Sequence, residues 1–357
     1  MQQKPARLLS LDTLRGFDML FIMGFADLVI ALCALLPFGW SDALAQQMVH
    51  PEWNGFSHHD TIFPLFLFLA GVSFPFSLKN SRSKGLSNNS IYYKIVKRAV
   101  VLFLLGLVYN GALNLDFESM RIPSVLGRIG VAWAVAALIT MRTSWVTRIY
   151  ICASVLICYT LIIGENPTID NNYAGRIDQA LLSGHLYLEN FDPEGIFSTI
   201  PAVVTALLGV FAGEIILSAK RTPVKRAAIL AVIGGGFCIA GFIWSYFAPV
   251  NKSLWTAPFV CYTACYSFIM LALFYYIIDV RGRKNWTLFF RVIGLNSITI
   301  YLGQRFISFP YTNDFTFGGV WGLFPDGIAS VLWWCSYIAL CWGVLYFCYK
   351  KNIFLKV

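Results

Sequence analysis

The sequence predicts an all-α integral membrane protein that crosses the bilayer about ten times, and three observations lead to this fold class. Hydrophobic residues make up 58% of the 357 residues and charged residues only 13%, whereas soluble domains carry about 25% charged residues. The apolar residues fall in separate runs of about 20, the length that a helix needs to cross the hydrocarbon core. The loops between these runs alternate in charge along the chain.

The apolar runs define ten predicted spans within a single domain, residues 1–357. Neither an internal repeat nor a pair of interrupted helices is visible in the sequence. The first run lacks the short apolar region and the cleavage site of a signal peptide, so we interpret it as the first permanent span. The ten predicted spans are residues 14–36, 61–78, 96–113, 122–141, 146–164, 196–217, 227–248, 257–279, 287–308 and 328–349.

The alternating loop charge predicts which ends of the helices face the cytoplasm. Five loops hold only Arg121, Arg176 and Lys252 as basic residues, against thirteen acidic ones. By the positive-inside rule, the other set of loops and both termini are cytoplasmic. The net charge of +9 therefore reflects membrane topology rather than nucleic-acid binding, because basic loops next to spans meet anionic headgroups. The five predicted outer loops are residues 37–60, 114–121, 165–195, 249–256 and 309–326.

Cysteine usage and known catalytic motifs exclude several function classes. The nine cysteines all lie in apolar runs and none forms a CxxC pair, so we expect packing residues rather than a disulfide framework or a zinc site. No GxSxG, P-loop or GxGxxG motif occurs in its required context, which leaves hydrolase and nucleotide-fold interpretations without support.

Three of the four histidines fall within ten positions at the entrance of the second span. Histidine exchanges a proton near neutral pH, and a carboxylate partner such as Asp60 would suit His50 to general-base catalysis. Three other interpretations stay open: interfacial anchoring by His58 and His59, a metal site made by the three histidines and Asp60, or a solvated His50. The fourth histidine, His185, has no evident partner and is expected to be solvated.

Ionisable residues inside the predicted spans cost about 2.5–3.5 kcal/mol each on insertion scales. Asp18 and Asp27 in the first span mark either a polar cavity or a buried ion pair with Arg128 or Arg305. Glu214 is interpreted as an interfacial residue whose side chain reaches the headgroups. Uncharged polar residues at the same depth, some of which join helices by hydrogen bonds, are Asn110, Asn114, Asn296, Ser297 and Gln304.

A series of motifs extends over nearly the whole chain. The two longest are RLLSLDTLRGFDMLFIMGFADL at 7–28 and HPEWNGFSHHDTIFPLFLFLAGVSFPFSL at 50–78. The others are RIPSVLGRIGVAWAVAA at 121–137, the segment 191–216, PVNKSLW at 249–255 and GLNSITIYLG at 294–303. In this order they resemble the heparan-α-glucosaminide N-acetyltransferase family and indicate a bacterial member of it.

The resemblance implies an acyltransferase that takes acetyl-CoA from the cytosol and acetylates an amino sugar on the far side of the membrane. It implies that His50, a few residues before the Trp-Asn-Gly triplet, is the catalytic histidine. Asp60 matches the family's acid at the start of the following span. His58 and His59 stand at positions where the family need not have histidine.

One departure from the family pattern concerns the acceptor. The lysosomal relative has an asparagine late in the first span, where this chain has Ala26 and Asp27, and Asp18 is likewise unexpected. Either the acceptor pocket differs or a neighbouring residue replaces the asparagine.

The resemblance suggests a mechanism and a set of site residues. His50 would remove a proton from the acceptor amine as it attacks the thioester, with Asp60 orienting the ring, and a covalent acetyl-histidine route stays open. Residues expected to contact the acceptor or the reacting oxygen are Trp53, Asn54, Asn251, Lys252, Asn296 and Ser297. Basic residues expected to hold the CoA phosphates are Arg15, Lys97, Arg98, Arg121 and Arg128.

The expected partners are acetyl-CoA, an amino-sugar or glycan acceptor and the lipid bilayer, with no metal, no nucleic acid and a homodimer as one oligomeric state to test. The expected location is a bacterial cytoplasmic membrane. Two alternative functions remain: O-acetylation of a cell-surface glycan, and sugar transport without acyl transfer. The lack of an inverted repeat and of paired broken helices counts against transport.

Overall fold

A computed structural model describes residues 8–164 and 167–355, and within these ranges it confirms the all-α fold. Lys4, Arg7 and Lys356, which support the predicted cytoplasmic termini, lie outside the described residues. The α-helices are α1 Leu9–Leu20, α2 Ala26–Leu35, α3 Ser41–Gln46, α4 Ile62–Ser83, α5 Asn88–Tyr109, α6 Val125–Arg142, α7 Trp145–Ile163, α8 Tyr173–Leu182, α9 Thr199–Leu217, α10 Pro223–Trp244, α11 Ala257–Phe274, α12 Thr287–Leu295, α13 Ser297–Phe306, α14 Phe309–Trp321 and α15 Asp326–Lys350. Short 3₁₀ or π turns lie at Phe21–Phe25, His58–Thr61, Ala112–Asn114 and Tyr275–Val280.

Eight helical segments in the described part of the chain are long and apolar enough to cross a membrane. Each coincides with one of the ten predicted spans, so the polytopic architecture is confirmed. The eight segments are Leu9–Leu35, His58–Ser83, Val125–Arg142, Trp145–Ile163, Thr199–Leu217, Pro223–Trp244, Ala257–Val280 and Asp326–Lys350.

The other two predicted spans differ from the expectation, so the count of ten is not confirmed. The span at 96–113 forms the second half of α5, a 22-residue helix whose first half carries Lys94, Lys97 and Arg98. The span at 287–308 is divided at Asn296 into two helices of 9 and 10 residues, each too short to cross the bilayer alone.

The first span is also interrupted, so the expectation of no paired broken helices is wrong. A π turn at Phe21–Phe25 separates α1 from α2, and Gly24 within it has φ +116°, a conformation that glycine adopts without a Cβ penalty. Met19 before this turn and Met23 within it pack in a cluster with Val292 and Ile293 of α12. The two interrupted segments therefore lie side by side.

The predicted outer loops contain more helix than expected. The prediction of a loop at 309–326 is wrong for most of this segment, which forms the 13-residue helix α14. Pro310 near its start is pre-organised for a first helical turn. Asn313 donates to the carbonyl of Trp333 at 3.1 Å, and the Trp333 indole donates to Asp314 at 2.5 Å. These bonds hold α14 against α15.

Close packing of α4 against α9 places the second span in the centre of the bundle. A Cβ atom on Gly209 would lie 2.0 Å from the Phe68 carbonyl oxygen, and one on Gly71 would lie 2.1 Å from that of Ala206. Only small residues allow helix backbones to approach so closely. The resulting contact is continuous with the main hydrophobic core, which α6 and α11 complete.

Hydrogen bonds join four of the five predicted outer loops at one end of the bundle, which we call the acidic end. Asn251 donates to the Trp53 carbonyl at 3.0 Å, and the Trp53 indole donates to the Pro167 carbonyl at 2.8 Å. Arg121 pairs with Asp192 in the same region. The opposite end, with the basic loops, is called the basic end.

Candidate active site

The His50 ring is paired with the Asp60 carboxylate at the acidic end. His50 Nδ1 lies 2.7 Å from Asp60 Oδ1. The two side chains differ in exposure: Asp60 is 1% exposed, whereas His50 is 46% exposed. The carboxylate is thus held inside the protein, whereas the imidazole is only half-buried.

The position of Asp60 follows from how the second span begins. Ser57 precedes a 3₁₀ turn, His58–Thr61, that leads into α4. Asp60 Oδ2 accepts hydrogen bonds from the Ser57 backbone N–H at 3.0 Å and from its hydroxyl at 3.2 Å, which completes a capping box. The positive end of the helix dipole favours the ionised carboxylate at this point.

An ionised Asp60 determines which nitrogen of His50 carries the proton. A carboxylate only accepts hydrogen bonds, so Nδ1 must donate to Asp60 Oδ1. In the neutral ring Nε2 then has the free lone pair. A free lone pair on one ring nitrogen, with the other nitrogen held by a carboxylate, is the arrangement that a general base requires.

Lys252 brings an ammonium group to the same imidazole. Its Nζ lies 2.9 Å from His50 Nε2 and 3.7 Å from Asp60 Oδ1. Burial lowers the pKa of Lys252 below its usual value, although the charge of Asp60 partly opposes this effect. Nζ also lies 3.2 Å from His50 Nδ1. Because it is almost equally far from both ring nitrogens, the ammonium lies over the face of the imidazole rather than along the Nε2 lone pair.

Asn251 was predicted to contact the substrate, but the structure gives it a positioning role. It is completely buried. Its amide donates to the Trp53 carbonyl and to Asn54 Oδ1, and its own oxygen accepts from the Leu254 backbone N–H. Asn251 therefore ties the loop of Lys252 to the loop of His50, with no polar atom left for a ligand.

Trp53 and Asn54 differ in whether a polar atom of the side chain is left for a ligand. The Trp53 indole N–H donates to Pro167 and its ring packs edge-on against Phe191, so its polar atom is not available to a sugar. The Asn54 side chain is exposed at the acidic end, with only its oxygen engaged by Asn251. Of the predicted acceptor contacts in this loop, Asn54 fits best.

The interpretation of His58 and His59 as membrane anchors is wrong, because both rings face the protein. The His58 ring lies 4.6 Å from that of Phe21, and its Nε2 is 3.0 Å from the Tyr266 hydroxyl. The His59 ring lies 4.5 Å from the His50 ring. Among the described residues, no three His, Cys, Asp or Glu side chains are arranged to hold a metal ion.

Two sequence interpretations of single polar residues are also wrong. His185 is not simply solvated: its Nδ1 lies 2.9 Å from the Met120 carbonyl oxygen. Glu214 does not reach for the headgroups, because it forms an ion pair with the buried Arg148 at 2.9 Å.

The predicted ion pairs between the first-span aspartates and Arg128 or Arg305 are wrong as well. Arg128 donates to Ser198 and to the Gly195 carbonyl, and Arg305 donates to the Tyr109 carbonyl at 3.2 Å. Both arginines therefore bind acceptors at the acidic end rather than an aspartate of the first span.

A cavity of about 320 Å³ runs through the bundle below the His50 site. Arg15 and Arg98 line it toward the basic end, and Phe63 and Phe66 line it toward the acidic end. Phe63 is three residues after Asp60 on the same helical segment, a rise of about 4.5 Å. The cavity is thus lined by basic residues toward the basic end and by the first turn of α4, next to Asp60, toward the acidic end.

A second cavity of about 360 Å³ adjoins the first and shares Arg98 with it. Lys94 and Lys97 also line this cavity, and the Arg98 guanidinium lies 4.2 Å from the centre of the Trp133 ring. Arg98 Nε is buried and has no hydrogen-bond partner among the described residues. Three of the predicted CoA contacts, Arg15, Lys97 and Arg98, are therefore gathered in one region.

The other two predicted CoA contacts lie elsewhere. Burial alone would lower the pKa of Arg121, but its hydrogen bonds and ion pairs with Asp192 and Glu194 raise it above the usual value. Arg128 is 3% exposed and its guanidinium lies 5.1 Å from the centre of the Trp255 ring. Both therefore tie outer loops together, and neither is placed to hold a phosphate at the basic end.

Asn296 and Ser297 are separated from the other predicted acceptor contacts. Ser297 lines the 320 Å³ cavity with Arg15, and Asn296 is buried at the break between α12 and α13. The Asn296 amide donates to Val292, whereas its oxygen has no partner among the described residues. Ser297 therefore lines the 320 Å³ cavity, which we call the inner cavity, and Asn296 lies next to it in the chain.

Sequence reasoning missed Ser57, which fixes Asp60, and Tyr301, which lines the inner cavity and stacks on Tyr109 at 4.6 Å. The spacing of Ser57 and Asp60 before an apolar run is a capping-box signal that could have identified the first. No local pattern marks Tyr301.

Comparisons with known proteins agree with the motifs. The sequence model of the catalytic region of heparan-alpha-glucosaminide N-acetyltransferase matches residues 7–241. The heparan-alpha-glucosaminide N-acetyltransferases of Mus musculus and Homo sapiens are 28% and 27% identical to this chain, over 98% and 99% of its length. The chain spans only about 60% of the length of these relatives. The chain belongs to the heparan-alpha-glucosaminide N-acetyltransferase family.

Proposed function

We propose that this protein is a membrane-bound acetyltransferase that transfers the acetyl group of acetyl-CoA to the amine of a glucosamine-type sugar at the acidic end. The observation that carries the proposal is the His50–Asp60 pair, 2.7 Å apart, with His50 Nε2 directed away from the carboxylate. Membership of the family supports the reaction class.

His50 is the general base in this proposal. A glucosamine ammonium must lose a proton before its nitrogen can attack, and Nε2 accepts it while Nδ1 remains bonded to Asp60. The C–N bond then forms as the C–S bond of the thioester breaks. The second proton of the attacking nitrogen goes to the leaving CoA thiolate, and the proton on Nε2 returns to solvent. Asp60 stabilises the imidazolium that forms, because its carboxylate is fixed by two bonds from Ser57. General-base catalysis of this kind contributes about 10²–10⁴ in rate.

Lys252 has two positions in the cycle. At rest its ammonium lies against His50 Nε2, 2.9 Å away. When the acceptor amine takes that place, the four-carbon stem of the lysine allows Nζ to move to the acyl oxygen, where negative charge develops. Loss of such an electrostatic stabiliser costs about 10²–10³ in kcat.

The two cavities fit acetyl-CoA as the donor. This molecule supplies a thioester on a long, largely uncharged arm whose other end carries anionic phosphates. Arg98 and Lys97 offer cations at the basic end, while Arg15 and the apolar side chains of the inner cavity lead toward Phe63. We assign the phosphates to Arg98 and Lys97 and the arm to the inner cavity.

The sidedness of the reaction follows from loop charge. The basic end is cytoplasmic by the positive-inside rule, so the donor enters from the cytosol and the acceptor from outside. We place the protein in a bacterial cytoplasmic membrane, and the homodimer remains a prediction to be tested by size in detergent.

Transport is a second candidate, favoured by the two interrupted segments at Gly24 and Asn296 that lie side by side. Paired discontinuous helices are a feature of secondary transporters. Uptake of labelled glucosamine into proteoliposomes without acetyl-CoA would support this candidate. O-acetylation is tested by offering N-acetylglucosamine, whose amine is blocked, as the acceptor.

The deciding experiment compares acetyl transfer by the full chain and by His50→Gln in lipid nanodiscs. Radiolabelled acetyl-CoA and glucosamine are the substrates. His58→Gln is the matched control, because this histidine is in the same segment but its ring contacts Phe21 and Tyr266. We expect a loss of about 10²–10⁴ for His50→Gln, the range for a general base. Activity of His50→Gln equal to that of the unaltered chain would refute the assignment.

A further inference from the structure

We infer that the acceptor is a small cationic amino sugar rather than the end of a polyanionic glycan, and that its ammonium takes the place now held by Lys252 Nζ. The inference rests on the proposed function and specifies its substrate class. Two independent observations carry it: the exposed charge of the outer loops, which form the rim of the acidic end, and the Lys252 ammonium beside the His50 ring.

The acidic end carries strongly unbalanced exposed charge. In the predicted outer loops, as far as the structure describes them, eight acidic side chains are exposed and Arg176 is the single exposed basic residue. Glu52 is two residues from His50. The exposed acidic residues are Asp42, Glu52, Asp116, Glu118, Asp170, Glu189, Asp314 and Asp326.

The basic residues of these loops are already engaged. Arg121 pairs with both Asp192 and Glu194. Arg176 donates to Asn171 at 2.6 Å on the surface of α8. Lys252 is the remaining one, and it is bound at the catalytic pair. The described rim therefore offers no cluster of arginines or lysines, which is what binding of sulfates and carboxylates requires.

The site itself accommodates a primary ammonium. Lys252 Nζ is 2.9 Å from His50 Nε2 and 3.7 Å from Asp60 Oδ1. Nζ is also 3.2 Å from His50 Nδ1 and so lies against the ring face. A sugar ammonium that enters at this position is beside the base and needs only a small shift to donate its proton to the Nε2 lone pair. The buried Asp60 carboxylate provides the compensating charge.

These features discriminate by charge. A glycan of alternating uronate and sulfated glucosamine carries several negative charges within a Debye length, about 8 Å at physiological salt, of the rim. Clefts lined by one sign of charge raise the association rate of oppositely charged ligands by about 10–10³. The rim thus attracts glucosamine and repels the polyanion.

The test uses the unaltered full chain in nanodiscs of zwitterionic lipid with three acceptors. These are glucosamine, a neutral oligosaccharide that ends in glucosamine, and a uronate- and sulfate-containing oligosaccharide with the same end. We expect kcat/KM for the polyanion to be lower by about tenfold or more at low salt, with a difference that shrinks as salt is added. The neutral oligosaccharide separates charge from size.

Equal or better use of the polyanion overturns the inference and leaves the proposed function intact. Equally poor use of both oligosaccharides, independent of salt, attributes the selectivity to size and also overturns it. Failure to acetylate any of the three acceptors refutes the proposed function itself, and the inference with it.

Lys252→Met tests the shared position separately. This variant removes a group that occupies the acceptor position. A larger fraction of the protein is then free to bind glucosamine, so the apparent KM falls by about 3–10-fold. The kcat falls as well, because the ammonium no longer stabilises the acyl oxygen. Lys79→Met, which removes an exposed cation outside the outer loops, is the control and leaves both constants unchanged. A rise in KM for Lys252→Met overturns the shared position.

Discussion

Replacing Asp60 by asparagine should reverse the tautomer of His50. The Ser57 backbone N–H and hydroxyl both point at the carboxylate, at 3.0 and 3.2 Å. The asparagine must therefore turn its oxygen toward Ser57 and its NH₂ group toward His50. An NH₂ group requires an acceptor, so Nδ1 loses its proton and Nε2 gains it. The lone pair that would take the acceptor proton is then on the wrong nitrogen.

The size of the effect separates two mechanisms. Loss of the charged hydrogen bond alone costs about 1.5–3 kcal/mol, or about 10–150-fold in rate. Tautomer reversal in the serine protease triad costs about 10⁴ in kcat, or about 5.4 kcal/mol. Since the geometry at Ser57 favours a single asparagine orientation, we expect about 10³–10⁴ for Asp60→Asn.

The assay is steady-state transfer of labelled acetyl to glucosamine in nanodiscs, with kcat and both KM values measured. Asp42→Asn, an exposed acid in the preceding helix α3, is the matched control and should retain full activity. Thermal unfolding followed by tryptophan fluorescence shows whether each variant is folded. If folded Asp60→Asn turns over within about threefold of the unaltered chain, a difference under 0.7 kcal/mol, the role of Asp60 in positioning the ring is refuted.

Three further predictions concern the cavity, pH and helix packing. Arg98→Gln should raise the KM for acetyl-CoA by about 10–150-fold, the worth of a charged hydrogen bond, with little change in kcat, whereas the exposed Lys79→Gln should change neither. Burial raises the pKa of Asp178 to about 6. The protonated side chain therefore stabilises the folded state fully below about pH 4, and this contribution is lost as the pH rises through 6. The Tm of the unaltered chain should fall over this pH range, and that of Asp178→Asn should fall less. Gly209→Ala should destabilise the protein by about 1–3 kcal/mol in thermal unfolding, while Gly235→Ala, with no atom within 4 Å of its Cβ position, should not.

The sequence predicted the elements whose signal is local. Eight of the ten apolar runs form membrane-length helices, because hydropathy alone specifies a helix in lipid. It did not predict the breaks at Gly24 and Asn296. The neighbours of Gly24, Trp334 and Tyr337, come from α15, and no local pattern marks Asn296 as a helix end. The helix α14 was missed for a similar reason: its Asn313 and Asp314 read as loop residues until they bond to Trp333.

In the candidate site, too, the sequence predicted what a local signal specifies and missed what depends on distant residues. The pairing of His50 with Asp60 was predicted from motif order, and the capping box explains it locally. The grouping of arginines was half wrong because residue type does not reveal partners. Arg121 and Arg98 are both arginines near apolar runs. In the structure, Arg121 forms ion pairs with two acidic residues, whereas Arg98 lines a cavity.

Helix α4 connects the two ends of the proposed reaction. The turn that leads into α4 supplies Asp60, which holds the His50 ring. The first turn of α4 supplies Phe63, which lines the inner cavity. Two turns further on, Gly71 lies so close to the backbone of α9 that even a methyl group has no space. A shift of α4 therefore moves Asp60, which holds the base, together with the wall of the 320 Å³ cavity. Residues at the contact between α4 and α9 should accordingly affect kcat through the His50 site, although they lie within the core and contact neither substrate.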